Sequence, residues 1–422
     1  MTTITKLKNG LKVVLAPVKG TKTITVLVMI KTGSKYENKS TSGLSHFLEH
    51  MFFKGTEKRP TPFSIVSELD SIGGEHNAFT GKEYTGYYIK VSKDKLTKAL
   101  DMLSDMLLHS KFSAEEIEKE RGVIIEELHM YEDNPMMSIE DLFENLLYGD
   151  CPAGWDTIGT KENILNFKRE DFIKYVSSQY GLKSTVICLA GDVKKSDISK
   201  LNHFFKELKS NAWKNKEKVV EKQIIPQYRF KAKKTDQITL SLGVRTKALG
   251  HKDEYTLKLL AIILGGSMSS RLFMEIREKQ GLAYFLKTTS EFYSDSGYLT
   301  TEAGIKKVDC LKAIVAILAE YKKITKDGVS KEELQKVKDM IKGRLDLQLE
   351  ASDNVAEWCA RQMVTRGKII SILEFIKRIN RVKAEDIKRV AKEIFVNSGL
   401  NLALIGEVSS DFEENLKKEL KF

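Results

Sequence analysis

Apolar and polar residues alternate on both sides of Asn9-Gly10, along residues 4–8 and again along 11–15. Two short alternating runs about Asn-Gly predict a β-hairpin, because that dipeptide tolerates the positive φ angles of a tight turn. Residues 23–32 follow as a Val/Ile-rich run that reads as a strand. The period then changes. Leu44, Phe47, Leu48, Met51 and Phe52 recur at helical spacing and predict a helix ending near Gly55. A second helix is predicted over about 62–72, strands within 77–91, and helices over about 92–109 and 113–132. The last opens on Ser113 with Glu116 three residues on, the spacing of a capping box. Its inward stripe is Ile117, Glu120, Ile124, Glu127, Leu128 and Tyr131, and Glu126 points away.

The pattern breaks near residue 211. Residues 211–221 are charged and lack a period, and Pro226, the last of six prolines, ends the stretch. The expected division is a first domain over 1–210, a linker over 211–228 and a second domain over 229–422. The second part repeats the first in outline. Residues 23–27 resemble 237–241, Gly86-Tyr87-Tyr88 resembles Gly297-Tyr298-Leu299, and 112–117 resemble 329–334, at offsets between 211 and 217. Small insertions in a duplication produce such a drift. The expected fold class is therefore α+β, two homologous α/β-sandwich domains.

Composition narrows the class. With 422 residues, 41% hydrophobic and 30% charged, the chain reads as an ordinary globular protein of two domains. Its four cysteines are far apart and form no Cys-x-x-Cys pair, which fits a reducing compartment. The first residues lack the apolar core of a secretory signal, and no run approaches a membrane span, so the expected location is cytoplasmic. Of the net charge of +11, residues 229–422 carry +9, with 36 Lys+Arg against 27 Asp+Glu. These lysines are interspersed with acids along helical patterns and form no basic-aromatic cluster. They read as a solvated surface, with neither nucleic acid nor membrane as a partner.

The chemistry concentrates in His46-Phe47-Leu48-Glu49-His50. Residues four apart share a helix face, so both imidazoles can reach one ion, and Glu49 lies close enough to take a proton from water on it. Two imidazoles and a carboxylate suit zinc, which lowers the pKa of bound water to about 7. A solvated face is the bland alternative, but the surrounding apolar residues argue for burial, where His and Glu need partners. Catalytic zinc takes three protein ligands. Glu127 on the inward stripe of 113–132 is the candidate third, with Glu120 a nearby carboxylate able to orient a histidine. Spacing alone leaves open that both glutamates bond to arginine or backbone instead. The second repeat lacks this equipment. All seven histidines lie at or before residue 251, residues 257–264 replace the metal helix with an apolar one, and Arg344 matches Glu127.

The run from Gly43 to Thr56, with Glu120-Arg121-Gly122-Val123-Ile124-Ile125-Glu126-Glu127, resembles the pitrilysin-like inverzincin metallopeptidases. That family includes insulysin and mitochondrial processing peptidase. The likeness extends to Gly265-Gly266-Ser267-Met268-Ser269-Ser270-Arg271-Leu272-Phe273 and to Arg277-Glu278-Lys279-Gln280-Gly281-Leu282-Ala283-Tyr284. It implies one Zn²⁺ per chain on His46, His50 and Glu127, Glu49 as the base and Glu120 in support. It further implies that Asn77 and Ala78 pair with substrate backbone, and that Arg277 and Tyr284 bind substrate and steady the tetrahedral intermediate. By itself Arg277 would read as a helix-end cation before a Gly281 cap. The implied function is a zinc-dependent endopeptidase for unfolded oligopeptides or presequences. Short members of the family pair to enclose a chamber, which implies a homodimer, with a paralogous heterodimer as the variant. The alternative function is a non-catalytic structural or partner subunit of a processing peptidase.

Overall fold

Two β-sheets, one per sequence repeat, organise the computed structural model, which describes residues 2–422. The first contains β1 (Thr3–Lys6), β2 (Lys12–Pro17), β3 (Thr23–Ile30), β4 (Glu75–Thr80), β5 (Thr85–Ser92) and β6 (Thr185–Gly191), in the order β1-β2-β6-β3-β5-β4. The second contains β7 (Gln227–Lys231), β8 (Gln237–Arg245), β9 (Ala283–Phe292), β10 (Gly297–Lys306) and β11 (Leu400–Ile405), in the order β7-β11-β8-β10-β9. Apart from β1, the two match strand for strand. Each has a single parallel pair, β2 with β6 and β7 with β11, and antiparallel pairs elsewhere. The duplication expected from sequence is therefore a repeated topology.

Before the connector the helices are α1 (Leu44–Met51), α2 (Pro62–Ser71), α3 (Leu96–His109), α4 (Ala114–Asp133), α5 (Pro135–Tyr148), α6 (Lys161–Asn166), α7 (Arg169–Gln179) and α8 (Asp197–Phe204). After it come α9 (Glu254–Gly265), α10 (Cys310–Asp327), α11 (Lys331–Gln348), α12 (Ser352–Arg366), α13 (Ile372–Arg381), α14 (Ala384–Ile394) and α15 (Phe412–Glu419). None of the described helices is long and apolar enough to cross a membrane. The Asn9-Gly10 hairpin forms, with Thr3 opposite Leu15. Helix α1 stops at Met51, short of the expected end near Gly55, because Phe52 and Phe53 continue the apolar pattern into a turn.

The chain forms two compact units, each assembled from separate segments. The first holds the chain up to His129, Trp155–Glu217 and Leu345–Ile369; the second holds Met130–Gly154, Lys218–Arg344 and Ile370–Phe422. A cut at 211–228 thus contains one crossing, after Glu217, but misses four others. The reason lies in two helices. In the first unit α12 covers one face of the sheet, with Ala356, Cys359, Ala360 and Met363 packed on Leu27, Met29, Val186 and Cys188. In the second, α5 sets Ile139, Phe143 and Leu147 against Tyr298, Ala403 and Ile405. Both helices follow the long helix that opens their own repeat's Ser113- or Ser330-led segment, at equivalent positions in the duplication. Strand β3 is buried from Ile24 to Ile30 because both its faces are covered, which explains why its sequence is apolar throughout that stretch except for Thr25, whose hydroxyl bonds Ser352.

Candidate metal centre

Helix α1 is held at its start by a buried carboxylate. Glu37 accepts the N–H groups of Gly43 at 2.8 Å and Ser45 at 2.6 Å, taking two of the donors that a helix N-terminus leaves unmade. Burial pushes the Glu37 carboxyl up to about 7, against those hydrogen bonds. Gly43 enters the helix at φ 94°, and a Cβ there would lie 2.5 Å from the Ile158 carbonyl oxygen, so the position requires glycine. Ser45 Oγ meets the Tyr175 hydroxyl at 2.7 Å, tying the helix to α7.

One turn on, His46 and His50 stand side by side with ring centroids 4.8 Å apart. Helix α4 brings up Glu127, whose oxygens lie 3.6 Å from His46 Nε2 and 3.5 Å from His50 Nε2. The three ligand atoms lie within 4.8 Å of one another, and this is the one such group among the described residues. Separations beyond hydrogen-bond length leave a gap that a cation would bridge, and the donor set fits zinc. The Glu127 carboxyl is held below the usual carboxylate range, first by the neighbouring His46 side chain.

Glu120, buried one helical stretch earlier, accepts from His50 Nδ1 at 2.8 Å and pairs with Lys54 Nζ at 2.5 Å. Taking up Nδ1 leaves His50 Nε2 for the ion. Burial works to lower the His50 pKa, but Glu120, Glu127 and Glu49 outweigh it and the net direction is up. Burial likewise works to raise Glu120, and His50 and Lys54 bring it below its ordinary value. His46 Nδ1 is buried without a hydrogen-bond partner among the described residues, and Glu127 faces the ring's other nitrogen. Glu49 accepts from Thr80 Oγ1 at 2.6 Å. Glu126 points to solvent, near His129.

A cavity of about 270 Å³ opens beside this cluster, lined by Glu49, His50, Phe53, Lys54, His76, Asn77, Ala78 and Glu120. Asn77 and Ala78 lie on β4, the edge strand of the first sheet. Because Gly81 N donates to Tyr84 O at the hairpin turn, alternation along β4 aims the Ala78 N–H away from β5. Its acceptor is the neighbouring Asn77 Oδ1, at 2.9 Å. The two remaining expected site residues belong to the second unit. Arg277 lies in a π-helical turn, Phe273–Lys279, with its guanidinium 4.8 Å from the Phe273 ring centroid; Gly281 follows at φ 62°. Tyr284 sits on the edge strand β9 with 73% of its surface exposed. Glu37, Lys54 and Thr80 escaped the sequence reading. Only Lys54, one turn beyond His50, left a signal there, as a cation closing the metal helix.

Residues 12–161 match the family described as Insulinase (Peptidase family M16), and residues 166–341 match the Peptidase M16 inactive domain. The chain is 36% identical over 399 residues to a protein named uncharacterized zinc protease YmxG from Bacillus subtilis, covering 94% of this chain and 96% of that one. A protein of Rickettsia bellii named uncharacterized zinc protease is 36% identical over 405 residues, covering 96% of this chain and 97% of that one. The crystal structure of a protease from Helicobacter pylori superposes with a TM-score of 0.90 at 27% identity, covering 96% of this chain and 99% of that one.

Proposed function

The chain belongs to peptidase family M16, and from that membership we propose that it is a zinc-dependent endopeptidase cleaving unfolded oligopeptides or presequences. The observation that carries this reading is the convergence of His46, His50 and Glu127 donor atoms within 4.8 Å, with the Glu49 carboxylate on the same helix turn. Bound zinc supplies a Lewis acid that polarises the scissile carbonyl and acidifies water. Glu49, steadied by Thr80, takes the proton from the attacking water and passes it to the leaving amine. Glu120 holds the His50 ring and Lys54 balances its charge. The substrate adds as a strand along β4, its carbonyl replacing Asn77 Oδ1 on the Ala78 N–H. Tyr284, with Arg277, steadies the oxyanion.

Two chains pair as a homodimer to enclose the substrate, each supplying Arg277 and Tyr284 to the other's zinc. A closed chamber admits unfolded chains and excludes folded ones. Four free cysteines fit a reducing, cytoplasmic setting. The test is metal content together with cleavage of a quenched peptide. The purified protein should bind one zinc per chain and turn over the peptide. Glu49→Gln should keep the zinc and lose at least about 10²-fold in turnover. Substantial turnover in that variant rejects Glu49 as the base.

A further inference from the structure

A second cavity, of about 220 Å³, lies on the opposite face of the same sheet edge. Its walls are Asn77 and Phe79 of β4, Tyr88 of β5, and Asp353, Asn354 and Glu357 of α12, over a floor of Thr25 and Leu27. Asn77 lines both cavities. Strand register explains the arrangement. Leu27, Tyr88 and Asn77 stand opposite one another across three strands, and Val28, Tyr87 and Ala78 form the next row. Successive rows face opposite sides of a sheet. A peptide strand added to β4 would therefore set the side chain opposite Ala78 toward the metal-side cavity. Its neighbours, opposite Asn77 or Phe79, would project toward α12.

The walls say what that side chain is. Phe79 and Tyr88 offer aromatic rings, Asn77 and Asn354 offer amides, and Asp353 and Glu357 offer carboxylates. Lys90 spans Glu75 at 3.0 Å and Asp353 at 3.3 Å, so the four charged groups together still sum to a negative field. The Tyr88 hydroxyl registers that field: burial, then Asp353 and Glu75, raise its pKa. Aromatic faces beside carboxylates suit a planar guanidinium above other side chains. We propose that this cavity is a specificity subsite for a long cationic side chain of the bound peptide, arginine above lysine. The proposal rests on strand addition along β4, the mode put forward above.

Zinc-loaded full-length protein is assayed with quenched peptides that differ in one residue, arginine, glutamine or glutamate, moved stepwise along the sequence. One position should favour arginine over glutamine by about tenfold. In the double variant Asp353→Asn, Glu357→Gln that ratio should fall to near one, and Glu357→Lys should turn the preference toward glutamate. The same peptides are titrated against Glu49→Gln protein, where arginine should tighten binding without turnover. A ratio unchanged by the double variant, or no position with a cationic preference, overturns the subsite. Cleavage of neutral peptides with no charge preference removes the subsite and leaves the peptidase reading intact. Arginine-selective binding that depends on Asp353 and Glu357, with no cleavage of any peptide, supports the subsite and removes the peptidase reading.

Discussion

Glu37 does its work through two backbone N–H groups, and its pH response follows from where it sits. With its folded-state carboxyl pushed up to about 7 from an ordinary 4.5, the folded chain holds a proton there that the unfolded chain releases. Its contribution to stability is present below about pH 4.5 and is lost as pH rises through about 7, by on the order of 3 kcal/mol at most. Denaturant melts of wild type and Glu37→Gln across that window should show the slope in the first and a flatter profile in the second. Glu120 is a positioning residue. Glu120→Gln should weaken zinc binding about 10–100-fold, read by chelator competition rather than by activity. Unchanged zinc affinity would remove its role in orienting His50. The histidine pair was legible in sequence because a spacing of four on a helix converts directly into a shared face. Spacing put Glu120 and Glu127 on one face without saying which would meet the histidines, and the family resemblance singled out Glu127. Glu37, Lys54 and Thr80 were not legible, because their roles depend on groups that only the folded loops, strand β4 and helix α4 bring near.

Among elements, local period identified the strands and helices as far as α4, with the hairpin at Asn9-Gly10 and Ser113 accepting from the Glu116 N–H, while α5 to α8 and β6 were not read from it. Partnership was harder to read. An amphipathic helix announces that it must be covered, yet nothing in its period names the sheet that covers it. That is why a division at 211–228 leaves α5 with the first domain and α12 with the second, whereas each packs in the other unit. The small residues of α12 are the footprint of its true partner: Ala356 and Ala360 let the helix approach β3 and β6 closely. Ala360→Leu should overpack that contact and destabilise the first unit by about 1–3 kcal/mol, measured as a lowered urea midpoint with unchanged slope. Wild-type stability in Ala360→Leu would contradict the close packing.

For the molecule as a whole, the zinc equipment sits in one repeat and the Arg277/Tyr284 pair in the other. If two chains exchange these halves, each single-site variant is complemented by the other. Mixing Glu49→Gln with Arg277→Ala protein, after subunit exchange is demonstrated by a mass tag, should restore peptide cleavage toward one working site per mixed dimer. No recovery despite exchange would place both halves of the chemistry within one chain. The reciprocal cover of the two sheets also bears on how the chain is made. When a ribosome has delivered β6, the first sheet still lacks its outer helix, which begins about 160 residues later with Ser352. At roughly 5–20 residues per second that is a wait of roughly 10–30 s, during which Leu27, Met29 and Val186 stay wet in the nascent chain. A holdase, or slow pairing with water-excluding neighbours, has to bridge that interval, and late truncations should therefore aggregate through the sheet encoded first.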